Sequence, residues 1–143
     1  MRHLVFALQL KGHVTHADGR FNAKTSASSQ TLRTQMTING VQPSIERAGP
    51  LSIVCESEIQ PTGEETYEEH GTITYSMGGK IRFKGLGRIG PCPLPHTRMG
   101  TAVWEITEGE GKMAGATGLI TVTFTLADDG AAIDNHFAQI FLP

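Results

Sequence analysis

Apolar and polar residues alternate along most of this chain. The clearest run is 118–126, where Ile120, Val122, Phe124 and Leu126 share one face against Thr121, Thr123 and Thr125. A period of two is that of a half-buried β-strand, and the pattern recurs between Gly, Pro, Asn and Asp signals. Residues 2–14 set Leu4, Phe6, Leu8 and Leu10 opposite His3, Gln9, Lys11 and His13. "HADGRFN" then reads as a turn and 29–38 as a second strand, ending at "NGVQP". A third, at 50–59, carries Leu51, Ile53 and Cys55 against Ser52, Glu56 and Glu58. The acidic "GEETYEEH" leads into a fourth, in which Ile73, Tyr75 and Met77 share a side. "MGGK" at 77–80 is a hairpin turn whose positive-φ positions suit glycine. Ile81 and Phe83 alternate with Lys80, Arg82 and Lys84 in a fifth strand, and Ala102, Trp104 and Ile106 form the apolar side of a sixth at 98–107. "ADDG" separates the 118–126 strand from an eighth at 131–142.

No window sustains a helical 3.6-residue period. Eight antiparallel strands with short connections remove their exposed edges most simply by closing on themselves. The expected fold is therefore all-β: an eight-stranded antiparallel up-and-down barrel, one domain over residues 1–143. A two-sheet sandwich is the alternative.

Composition supports this reading. Seventeen glycines and only 18% charged residues favour turns and strands over amphipathic helices. A formal charge of −2 provides no field to recruit nucleic acid or an acidic membrane. "MRHLVFALQLKGH" is too interrupted for a secretory or membrane segment, so a cytoplasmic location is expected. Cys55 and Cys92 lack zinc-type spacing and are expected to be free thiols.

The segment "GEGKMAGATG" concentrates Gly109, Gly111, Gly115 and Gly118 before a strand, where a tight hairpin and a barrel corner need them. A phosphate loop is excluded by context: no helix follows and the Gly-Lys-Ser/Thr order is absent. Following "TAVWEIT", the stretch "GEGKMAGATGLITVTFTL" resembles the G-x-G-x-x-x-G-A-x-G segment of allene oxide cyclase and dirigent-protein barrels, and of small bacterial barrels related to them. The likeness covers residues 101–130. It implies an interior apolar cavity that binds a flexible, reactive, hydrophobic molecule and steers its cyclisation, coupling or isomerisation by shape, without metal or organic cofactor. It also implies a homodimer or homotrimer. No catalytic residue of those families maps onto this sequence, and the missing secretion signal points to an intracellular, bacterial-type relative.

The interior face is expected to be that of Phe6, Ile53, Tyr75, Phe83, Trp104 and Phe124, with Cys55 and Tyr75 as its polar-capable members and Met36 and Met77 as adaptable ones. For any one of them, plain core is the leading reading. His13 and His16 in "HVTH" point to opposite faces of a strand, so no metal site is expected. No G-x-S-x-G occurs, and neither cysteine has a nucleophile's local signature. Lys80, Arg82, Lys84 and Arg88 share an outer face that pairs with acids such as Glu105.

The rigid "GPCPLPHTR" places Cys92, His96 and Arg98 where a barrel mouth would lie, or is a stiff surface connection. In "DNHF" one of Asn135 and His136 must point inward, and a histidine there can move a proton near neutrality. The expected catalytic set is Tyr75, His136, His96 and Arg98; the expected ligand walls are Phe6, Met36, Cys55, Phe83, Trp104 and Phe124.

These residues support a cofactor-independent cyclase, isomerase or lyase acting on a small hydrophobic metabolite. The alternatives are a lipocalin-like carrier and a filled barrel serving as an interaction module. Two or more hydrogen-bonding ionisable groups in the cavity favour the first, a wholly apolar cavity the second, and no cavity the third.

Overall fold

In the computed structural model of the protein, residues 1–27, 30–47, 52–76 and 78–143 are described, 30–37 and 41–47 by their backbone alone. Ten strands follow in chain order: β1 (Arg2–Ala17), β2 (Arg20–Ser26), β3 (Gln30–Thr37), β4 (Gly40–Arg47), β5 (Ile53–Pro61), β6 (Thr66–Tyr75), β7 (Gly79–Pro91), β8 (Thr97–Gly111), β9 (Thr117–Ala127) and β10 (Ala131–Leu142). No helix occurs among the described residues.

Eight of the strands close a barrel. β1 pairs with β2, β2 with β5, each of β5 to β10 with the next, and β10 returns to β1. The closing pair runs antiparallel from Arg2↔Leu142 to His13↔Ala131. Strands β3 and β4 form a hairpin outside that circle, touching it through Ala7↔Thr34.

Three strands differ from the sequence reading, β4 among them, since "NGVQP" reads as a strand's end and Gly40–Arg47 is itself a strand. "HADGRFN" turns only at Asp18 and Gly19, and Arg20–Ser26 already pairs with β1 and β5. Its exposed Asn22 and Lys24 and its small inward Ala23 hid the alternation. The 29–38 strand corresponds to β3, which pairs with β4 instead of filling a place in the wall. The barrel thus has eight strands, but not the eight read from the pattern.

Inside the barrel, Leu10, Ile73, Ile81, Ile120 and Ile140 are fully buried, with Cys55, Phe83 and Trp104 nearly so. On β10 the even positions face inward, so His136 is buried and Asn135 exposed. Phe141 faces outward, where the ring of His3 stacks on it at 4.4 Å. Outside, Arg82 reaches Glu108 and Glu110, and Lys84 stands opposite Glu105.

The barrel has two distinct ends. At one lie the β6–β7 turn, the glycine-rich β8–β9 turn and the chain termini. There, backbone bonds from Lys112 to Gly78 and from Ala116 to Met113 fold the "GEGKMAGATG" loop, and Met113 packs against the core. Gly118, at φ 139°, passes so close to Gln139 O that a Cβ would collide with that carbonyl. This answers why glycines crowd that segment: it is a plug and a corner. At the other end lie the β1–β2, β5–β6, β7–β8 and β9–β10 turns, and here the interior is not filled.

Candidate functional site

The space at that end follows from small residues at inward positions. On β7 the inward positions read Phe83, Gly85, Gly87 and Ile89, so two successive side chains are missing. β8 adds Gly100 and Ala102, and β2 and β10 add Ala23 and Ala132. The result is a chamber of about 270 Å³, lined by Phe21, Tyr67, Trp104 and Phe124 among others. It opens beside Gly63, Glu64 and Arg98.

The same glycines organise the polar groups. Glu69, Gly85 and Trp104 occupy one row across β6, β7 and β8. With no side chain on Gly85, the Trp104 indole crosses β7 and its Nε1 donates to Glu69 Oε2 at 2.9 Å. Ser57 Oγ, from β5, donates to Glu69 Oε1 at 2.6 Å. One row along, the Tyr67 ring lies over Gly87, where a Cβ would strike it. Phe83 stacks beneath Trp104 at 4.0 Å, and Tyr67 meets Phe124 edge-on.

Asp134 also lines the chamber, and Thr25 Oγ1 reaches it across bare Gly12 at 3.3 Å. His136 Nε2 lies 4.0 Å from Asp134 Oδ2 and has no hydrogen-bond partner among the described residues. Its ring stands perpendicular to Trp104 with centroids 5.0 Å apart.

Burial sets the protonation of all three groups, because a low-dielectric interior disfavours charge. It pushes the Glu69 carboxyl up to about 7; hydrogen bonds from Ser57 and Trp104 oppose the rise, and the nearby Asp134 adds to it. Burial likewise raises Asp134 to about 6 against the Thr25 hydrogen bond. It lowers His136 to about 4. His136 is therefore neutral at pH 7, and its approach to Asp134 is not an ion pair.

The residues singled out from sequence divide into separate groups. Trp104, Phe124 and Arg98 line the chamber, and His136 lies behind Trp104. Phe83 and Cys55 are core; burial raises the Cys55 thiol, and both cysteines are free. Phe6 packs edge-on against Tyr75 toward the plugged end. Tyr75 lies six residues along β6 from Glu69, about 20 Å at a strand's rise. His96 is exposed on the β7–β8 turn, 3.2 Å from Asp128. The side chain of Met36, and Met77, lie outside the described residues.

The sequence pattern does not single out the two interior carboxyls. Glu69 reads as part of an acidic approach to a strand, yet it shares parity with Ile73. Counting back by twos gives Gly71, Glu69 and Tyr67, all facing inward. Asp134 shares parity with His136 in the same way.

Fold and site together define a small antiparallel β-barrel whose half-filled interior holds two carboxyls among aromatic rings. Neither a family model nor a curated protein matches the sequence. Among solved structures, a pterocarpan synthase dirigent protein is similar to this chain, with 14% sequence identity and a TM-score of 0.47 over 98% of this chain and 86% of that one. The barrel described here rests on its own strand pairing.

Proposed function

We propose that the chamber binds a small, largely apolar molecule and isomerises or cyclises it by proton transfer, using Glu69 and Asp134 and no metal or organic cofactor. The observation that carries this reading is the pair of carboxyls in one apolar chamber, at about 7 and about 6. A general acid or base works best when its pKa lies near the working pH. At neutrality Asp134 is mostly ionised, a base with one oxygen held by Thr25, while Glu69 is about half protonated and can donate. A protonated Glu69 keeps both neighbours, since the Ser57 hydroxyl can accept where it otherwise donates. The chamber falls just below the ~300–1,000 Å³ of common ligand pockets, so the substrate is small.

A carrier is the second reading. It is favoured by the full engagement of Glu69, whose two oxygens are both held by Ser57 and Trp104.

Trp104 is the chain's single tryptophan, so its emission reports occupancy directly. Aromatic compounds of about ten heavy atoms are screened by Trp104 quenching. Those that bind are then followed by NMR in D2O for solvent exchange of carbon-bound hydrogen or for conversion. Proton-transfer chemistry gives exchange with at least one binder, slowed about 100-fold in Asp134→Asn. Binders without exchange or conversion leave the carrier; no quenching by any compound removes both readings.

A further inference from the structure

The charges around the chamber are unbalanced. Its lining includes Glu64 at the mouth and Glu69 and Asp134 inside, against one cation, Arg98. Arg98 is exposed at the rim, and the charge that adds to the rise of Glu69 is that of Asp134, which is acidic. Among the described residues no lysine lines the chamber. Two carboxyls so placed ionise only at raised pH, with no buried cation beside them among the described residues.

Behind the lining, His136 contributes a buried Nε2 that faces Asp134 with no hydrogen-bond partner among the described residues. In its neutral form one ring nitrogen can accept a hydrogen bond. Besides the Tyr67 and Thr66 hydroxyls, the polar side chains that β6 and β10 bring to the chamber are carboxyls, so acceptors predominate. The walls beside them are the Trp104, Tyr67 and Phe124 rings, whose negative faces attract a cation and not an anion.

From this juxtaposition we infer that the chamber's ligand carries a positive charge: a small aromatic or alkyl amine in its ammonium form, seated with its N–H groups on Glu69 and Asp134. This rests on the chamber being a ligand site and narrows the ligand's class. The ammonium supplies the donors that the acceptors lack and the positive charge that the carboxyls lack. Its arrival completes the ionisation of Glu69, so binding releases a proton near neutrality. It also offsets the desolvation that raises both carboxyls.

Three probes of one ring and nearly one length separate charge from shape: phenethylammonium, 2-phenylethanol and 3-phenylpropionate. Each is titrated into the intact protein by Trp104 fluorescence and by calorimetry in two buffers of different ionisation enthalpy. At about pH 8, with both carboxyls ionised, the ammonium should bind at least ~10-fold tighter than the alcohol and the carboxylate weakest. Towards about pH 5 the advantage should shrink as Asp134 and Glu69 take up protons. The other titratable groups facing the pair leave this order intact. Cys55 and Tyr67 are pushed up and stay neutral, His136 is pushed down, and Glu64 and Arg98 stand at the mouth. Calorimetry near pH 7 should show proton release with the ammonium alone.

The double variant Glu69→Gln, Asp134→Asn should lose the preference and still bind the alcohol. An alcohol or carboxylate that binds as tightly as the ammonium at about pH 8 overturns the cation and leaves the ligand chamber standing. No response to any probe overturns both.

Discussion

Glu69 makes the stability of this protein depend on pH in an unusual direction. Its carboxyl rises from an ordinary 4.5 to about 7, so between those values the native state holds a proton that the unfolded chain releases. Stability from this group is full below its unfolded pKa and is lost as pH rises through 7. The shift amounts to on the order of 3 kcal/mol. Asp134 acts in the same sense between 3.8 and about 6. His136 opposes both: it is lowered from 6.5 to about 4, so the native state excludes a proton and gains stability as pH rises across that window. Two groups against one leave a net loss, and from about pH 7 upward Glu69 is the largest contributor. Urea unfolding should therefore show stability falling from about pH 5 to about pH 8, and Glu69→Gln should remove most of the slope. The variant can fold, because a Gln carbonyl accepts from Trp104 while its amide donates to Ser57. A rise in stability over that range would show that Glu69 is not held protonated.

At the scale of the element, β7 does the most to shape the site, through side chains it lacks. Gly85 lets Trp104 reach Glu69, and Gly87 makes room for Tyr67. Gly87→Ala should push the Tyr67 ring into the chamber and cost about 1–3 kcal/mol, the usual penalty for overpacking. Ligand quenching of Trp104 should weaken with it. Unaltered quenching and unfolding would mean that the ring is free to move. Gly118→Ala at the plugged end should destabilise through its positive φ and its approach to Gln139 O, by about 1–3 kcal/mol or more, without touching the chamber. Thermal unfolding alongside Trp104 quenching distinguishes the two variants. The glycines of β7 were legible as strand residues. Their meaning was not, because a missing side chain makes a cavity only when the facing strands also withhold theirs.

Across the whole molecule the barrel separates a plugged end from an open one, which groups the candidate residues in a way that chain order cannot. Tyr75 belongs to the plugged half with Phe6, and His96 lies outside the wall beside Asp128. Tyr75→Phe and His96→Ala should each leave Trp104 quenching and hydrogen exchange within about two-fold of the parent, whereas Asp134→Asn should slow exchange about 100-fold. A fall of ten-fold or more in the Tyr75 variant would bring its hydroxyl back into the chemistry. The β3–β4 hairpin belongs to this scale too, since it occupies β1's edge through Ala7 where β2 has diverged.

The period-two pattern by itself determined an all-β chain, the inward faces of β1, β5 and β7 to β9, and the position of the glycine-rich corner. Alternation is local, and side-chain parity survives without knowledge of neighbours. Whether strands close, and which eight do so, depends on register between distant segments; the pattern placed 29–38 in the wall, whereas pairing puts Arg20–Ser26 there. The acidic chamber was also beyond local reading. A carboxylate in an alternating strand reads as solvent-facing, because burying it alone is costly. Only the closed barrel brings Ser57, Trp104 and Thr25 to the inward carboxyls from three other strands, and those hydrogen bonds make their burial tolerable.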